Sequence, residues 1–115
     1  MNRAQWSKCF GFCMVCGYST FQPGGLHTHE ITGGCNRKRA LNEPACWLRV
    51  CPECHPKLVS SMEGLIYQLA LKKTYDPEHY NLAAFLRVWR PNGDGTAITE
   101  AEVDAAMKTL GRNET

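Results

Sequence analysis

Cys13-Met-Val-Cys16 and Cys51-Pro-Glu-Cys54 are two Cys-x-x-Cys pairs separated by 34 residues. Each pair can present two thiolates from one tight turn, and two such turns brought together supply the tetrahedral four-sulfur shell that zinc takes in structural sites. Gly17, directly after Cys16, helps the backbone turn back. A redox dithiol or two disulfides are the alternatives. A redox motif normally occurs once and opens a helix in a thioredoxin-like setting, so structural zinc on Cys13, Cys16, Cys51 and Cys54 is the expectation. Binding worth about 10–16 kcal/mol would then stand in for a core that the first half lacks. Cys9, Cys35 and Cys46 are expected as buried free thiols, against Cys9 as a competing ligand or a Cys35–Cys46 pair.

Leu26-His27-Thr28-His29-Glu30-Ile31 alternates and is followed by Thr32-Gly33-Gly34. A strand there puts His27 and His29 on one face, with Thr28 and Glu30 on the other. His55 follows Cys54 directly, so a zinc clamp would fix it at the clamp's rim, facing the strand that carries His29. Between the histidines lies Arg37-Lys38-Arg39, a run suited to gripping phosphate. His79 lies far along the chain and is read as structural.

These groups need a scaffold, and the chain divides in two to make one. Residues 1–57 are dense in Cys, Gly, His and aromatics without a sustained helical period, which predicts short strands and tight loops. From Ser60 the pattern is helical. Ser60-x-x-Glu63 reads as a capping box for a helix with Met62, Leu65, Ile66 and Leu69 on one face, ending near Lys72-Lys73. Asp76-Pro77 predicts the start of a second helix, with Leu82, Phe85, Leu86 and Trp89 as its stripe and Pro91 beyond its end. Thr99-x-x-Glu102 opens a third, with Val103, Ala106, Met107 and Leu110 inward and Gly111 at its end. These stripes read as packing faces. Asn92-Gly-Asp-Gly-Thr-Ala-Ile fails as a calcium loop, because Arg90 and Ala101 fall where carboxylates are needed, and reads as an exposed turn.

With 115 residues, a single domain is expected, about 9–59 forming a zinc-clamped core and about 60–115 a three-helix extension. The composition, 43% hydrophobic and 21% charged, excludes a disordered chain. Seven cysteines cannot all pair, and the N-terminal residues show no apolar signal segment. A reducing, cytoplasmic setting is therefore expected. The uncharged stretch Cys9–Leu26 is broken by Gly, Ser, Thr, Gln and Pro and is not a membrane span. Net charge is +2, unevenly spread: residues 1–57 hold seven bases against three acids, and the remainder six against eight. The basic part coincides with the cysteine-rich part, which suits a polyanionic partner.

A Cys-x-x-Cys pair, the His29-Glu-Ile strand with its glycines, the Asn36-Arg37 segment and Cys51-Pro-Glu-Cys54-His55 together resemble the HNH endonuclease superfamily. More narrowly, the stretch from about Cys13 to Leu58 is similar to small HNH proteins common in bacteriophage genomes. The resemblance implies an α+β fold in which a small zinc-stabilised ββα-metal core is followed by a helical C-terminal part. It implies a metal-dependent DNA endonuclease or nickase working in a bacterial or phage-infected cell, as a monomer or homodimer. His29 would be general base or metal ligand and His55 a metal ligand, with His27 a further candidate. Aligning Ile31 with the family's isoleucine instead puts His29 at the metal position and Glu30 at the base position. The asparagine that orients the base in the family is displaced, since Asn36 and Asn42 both lie further from Cys51 than usual. The segment Asn36, Arg37, Lys38 and Arg39 would bind nucleic acid. Mg2+ or Mn2+ is the expected catalytic cation, with Ni2+ or Zn2+ suited to an imidazole-rich site. The alternative is a catalytically silent zinc module that binds nucleic acid or a protein.

Overall fold

A computed structural model describes residues 1–19, 25–34, 36–90 and 98–112, with 111 and 112 by backbone alone. Among the described residues there are five helices and one two-stranded antiparallel sheet, an α+β architecture. The predicted turn at 92–98 lies almost wholly outside them, as does Cys35.

The first helix, α1 (Arg3–Lys8), interrupts what the sequence suggests is irregular chain. Its start is dictated by Asn2, whose side chain accepts from the Gln5 amide at 2.8 Å while Gln5 Oε1 receives the Asn2 N–H at 2.9 Å. These reciprocal bonds satisfy N–H groups that a helix start otherwise leaves bare. Trp6, on its inner face, is fully buried against Trp47 and donates from Nε1 to Asp76 Oδ2 at 2.7 Å.

Strands β1 (His27–Glu30) and β2 (Trp47–Val50) pair so that His27 faces Val50, Thr28 Arg49, His29 Leu48 and Glu30 Trp47. In between lies a short helix, α2 (Arg37–Ala40), entered through Asn36 in the left-handed conformation. Trp47 donates to the Ala40 carbonyl at 2.7 Å and so ties α2 to β2. The three C-terminal helices are α3 (Met62–Tyr75), α4 (Leu82–Trp89) and α5 (Glu100–Arg112).

Two helix starts differ from the sequence reading. Ser61, not Ser60, caps α3, its hydroxyl accepting from the Gly64 amide. Asp76 does not open α4; it ends α3, and Asn81 caps α4 by accepting from Ala84. The reason is a stronger use for the Asp76 carboxylate, which takes bonds from Lys72 Nζ at 2.7 Å, His79 Nδ1 at 2.8 Å and Trp6. Lys72 is fully buried, with its ammonium 4.4 Å from the centre of the Trp6 ring. His79 is structural, as expected.

The first half is also better packed than expected. Trp6, Met14, Ile31, Trp47, Leu48 and Val50 join Leu65, Leu69, Phe85 and Val103 in one apolar cluster. Burial on that scale, at roughly 25 cal/mol per Å² of apolar surface, means that metal binding adds to a core and does not replace one. Among the described residues no helix is long and apolar enough to cross a membrane.

Candidate metal centre and histidine cluster

Cys13, Cys16, Cys51 and Cys54 bring their sulfurs within 4.8 Å of one another and are positioned to hold a metal ion. The first turn is closed by the Gly17 amide on the Cys13 carbonyl at 2.8 Å, with Gly17 at φ 81°. Only glycine takes that backbone conformation without steric cost. A bond from the Met14 amide to the Arg49 carbonyl hangs this turn on β2. The second turn leaves β2 directly and is closed by the His55 amide on the Cys51 carbonyl.

The sulfur chemistry fits zinc. Cys16 and Cys51 Sγ are 3.8 Å apart, far beyond the roughly 2.05 Å of a disulfide. That distance equals the edge of a tetrahedron whose metal–sulfur bonds are about 2.3 Å. The Cys54 amide on its sulfur brings the Cys51 thiol down to about 7, while burial and the neighbouring thiols push Cys54 up. A divalent cation is what lets four crowded thiolates coexist.

Two of the remaining thiols differ from each other. Cys46 is fully buried, and burial pushes its thiol up to about 12, as befits an inert core residue. Cys9 is exposed, contrary to the expectation of burial, because it caps α1 on the solvent side, its thiol turned to the Gln5 carbonyl. It takes no part in the sulfur cluster.

Beside this centre three imidazoles meet. His27 and His29 project from the same face of β1, and His55 stands between them in the 3-10 turn His55–Lys57. His27 Nδ1 lies 2.9 Å from His55 Nδ1, and His29 Nδ1 lies 3.1 Å from His55 Nε2. The rings meet edge to face, with centroids 5.1 and 4.9 Å apart. Burial holds both His29 and His55 below the usual histidine range, which favours the neutral ring that metals require. Because His27 and His29 address different nitrogens of His55, one ion takes one pair and not all three. The His29–His55 nitrogens would subtend about 100° at an ion 2.0–2.1 Å from each, so this donor pair fits a divalent cation.

The other predicted site residues lie elsewhere. Glu30 alternates to the opposite face of β1, nearly buried, where its carboxylate meets Arg3 at 3.3 Å and Arg37 at 3.9 Å. Thr28 shares that face, its hydroxyl bonded to Ser7 and to Arg49. Arg37, Lys38 and Arg39 are all exposed on α2, and Asn36 turns its amide to the Trp89 carbonyl at 3.4 Å.

Two contributors escaped sequence reading. Arg3 partners Glu30 from α1. Gln68, on α3, is 1% exposed and lies with Oε1 2.8 Å from His29 Nε2. Their only sequence signals were the Asn2-x-x-Gln5 cap for α1 and a glutamine inside an apolar helical stripe for Gln68.

No protein-family model, curated protein or solved structure matches this chain.

Proposed function

We propose that this chain is a metal-dependent DNA endonuclease or nickase of the HNH type, with β1, β2 and the segment after them serving as its ββα-metal core. The observation that carries the reading is the meeting of His27 and His29 with His55, one residue beyond the four-cysteine centre. Structural zinc on the cysteines would fix the second turn and hence the position of His55. A catalytic divalent cation would be held by His29 and His55, and once bound it supplies charge stabilisation on the phosphate and the departing oxygen. Mg2+ or Mn2+ heads the candidates, followed by Ni2+ or Zn2+ for the imidazole donors.

The chain's own groups do the rest. A neutral imidazole in the cluster can accept the proton of the attacking water. Arg37, Lys38 and Arg39, exposed on the α2 surface with Asn36 at its start, bind phosphate and align the backbone of a DNA strand. Glu30, paired with Arg3 and Arg37, holds α1 and α2 against β1.

Nicking of supercoiled plasmid with a series of divalent ions tests the reading. His29→Ala and His55→Ala should fold, bind zinc and lose cleavage. Added cation should partly rescue whichever residue is a ligand and should not rescue a base. Glu30→Gln should lower stability and keep cleavage; the reverse outcome assigns the base role to Glu30. Inactivity of the folded, zinc-loaded wild type with every ion would refute the enzyme. The second reading, a silent zinc module that binds nucleic acid or a protein, would then stand, and it is favoured by the engagement of Glu30 in ion pairs.

A further inference from the structure

The hydrogens on the imidazole cluster are placed by one side chain outside it. A peptide carbonyl can only accept, so the Gln68 atom 3.0 Å from the Val59 carbonyl is the amide nitrogen Nε2. The Gln68 oxygen is thereby the atom turned to His29 Nε2 at 2.8 Å. Since that oxygen accepts, His29 Nε2 carries the hydrogen, and in a neutral ring His29 Nδ1 is left with a lone pair. Without a cation His29 Nδ1 faces His55 Nε2, which therefore donates, and His55 Nδ1 accepts from His27 Nδ1; a cation shared by His29 Nδ1 and His55 Nε2 would shift the His55 hydrogen to its Nδ1, with His27 Nδ1 then accepting. Every contact in the row from Val59 to His27 pairs one donor with one acceptor.

We propose that Gln68 is the positioning residue of this site: fixed by the Val59 carbonyl, it locks His29 in the Nε2-protonated form and aims the Nδ1 lone pair at the point where a cation or water is held. The role rests on the endonuclease reading for its chemistry, though its geometry does not. It is the part that the HNH resemblance gives to an asparagine, and Asn36 cannot take it, because its amide is turned to Trp89. Gln68 is sealed from water, so no solvent molecule can replace its oxygen. A hydrogen bond on the distal nitrogen is what ordinarily orients a metal-binding histidine, and losing it weakens the metal about 10–100-fold.

The test is a long-range 1H–15N correlation spectrum of the histidine rings in the zinc-loaded protein, with Mn2+ titrated in parallel. Wild type should show His29 protonated at Nε2 and bare at Nδ1. Gln68→Leu should show averaged or reversed His29 nitrogens and Mn2+ affinity lower by about 10–100-fold, and Gln68→Glu, which keeps an acceptor oxygen for His29 but has no N–H for the Val59 carbonyl, should keep His29 protonated at Nε2. Protonation of wild-type His29 at Nδ1 would overturn the proposal. So would a folded Gln68→Leu protein with unchanged His29 nitrogens and Mn2+ affinity. If Gln68→Leu does not fold, the wild-type and Gln68→Glu spectra decide the matter. A protein that shows the Gln68-dependent pattern yet cuts no DNA refutes the endonuclease and upholds the positioning role. An active nuclease whose His29 ignores Gln68 refutes only that role.

Discussion

Gly64→Ala should disturb His29 without touching it. Gly64 lies in the first turn of α3, and a Cβ there would stand 2.1 Å from the Val59 carbonyl oxygen, 2.7 Å from Val59 Cγ2 and 2.9 Å from the Val59 carbonyl carbon. Ordinary contact between such atoms needs about 3.5 Å, so the Val59 peptide must retreat by about 1 Å or more. Moved that far away from α3, its oxygen lies up to about 4 Å from Gln68 Nε2, beyond hydrogen-bond reach. Alanine gains up to about 1 kcal/mol in helix propensity. Against this stand about 1–3 kcal/mol of overpacking and about 1–3 kcal/mol for a buried amide left unpaired. The net loss is about 1–5 kcal/mol. Its middle value corresponds to a Tm lower by about 12 °C, at roughly 4 °C per kcal/mol for a chain of this size. Thermal unfolding followed by circular dichroism reads the first effect, and the His29 ring nitrogens read the second. Gly34→Ala is the control, since nothing lies within 4 Å of its Cβ position, and it should stay within about 0.5 kcal/mol of wild type. A Gly64→Ala protein as stable as wild type, with unaltered His29 nitrogens, would show that the Val59 carbonyl moves freely and does not hold Gln68.

Cys51→Ser should lose both bound zinc and cooperative unfolding, whereas Cys9→Ser, at an exposed thiol outside the cluster, should keep both; metal analysis beside urea unfolding reads the pair. Burial alone would raise the Asp76 carboxyl, but bonds from Lys72, His79 and Trp6 bring it below its usual value. Its stabilising contribution is therefore complete above the unfolded-state pKa and is lost as pH falls through the lower folded-state value. Urea midpoints should decline below about pH 4 in wild type and decline less in Asp76→Asn, which starts about 3–5 kcal/mol weaker at neutral pH because Lys72 is left without its counter-ion. Reversing Arg37, Lys38 and Arg39 together should weaken binding to any DNA sequence and flatten its salt dependence by roughly one unit of slope per lost phosphate contact; an unchanged slope would make the run a merely solvated helix.

Local patterns in the chain carried their own information well. The spacing of the cysteine pairs, the alternation that puts His27 and His29 on one face, and the stripes of α3, α4 and α5 each follow from a period or a turn, and each is present save that Met62, at the start of α3, is exposed. The two motif-borne long-range meetings, of the cysteine turns and of His55 with β1, are also present; what failed were features whose distant partners no motif names. Asp76 before Pro77 satisfies every local rule for opening a helix, and only the arrival of Lys72 and Trp6 makes it a buried counter-ion instead. Glu30 beside His29 invites pairing with the histidines, yet the pleat turns it away to Arg3, a residue 27 positions earlier. Gln68 and Lys72 sit at helical spacing with Leu65 and Leu69, polar residues in a buried stripe. That misfit was the available sign that α3 carries polar contacts inward, although it did not say to which partners.

The bond between Trp6 and Asp76 joins residues 70 positions apart, and it sets an order of events on the ribosome. All four cysteines have been made once residue 54 emerges, so the sulfur shell can close on its ion while α3 is still unwritten. Gln68 follows 14 residues later and Asp76 22 residues later. At roughly 5–20 residues per second, the last cysteine precedes Asp76, the seat of α1, by about 1–4 s. During that interval the indole of Trp6 lacks the Asp76 acceptor for its N–H, and the His29 ring has His55 beside it but not Gln68. A nascent chain of that length has every sulfur ligand for a metal but not the glutamine that sets the His29 ring, and α3 is the delivery that supplies it.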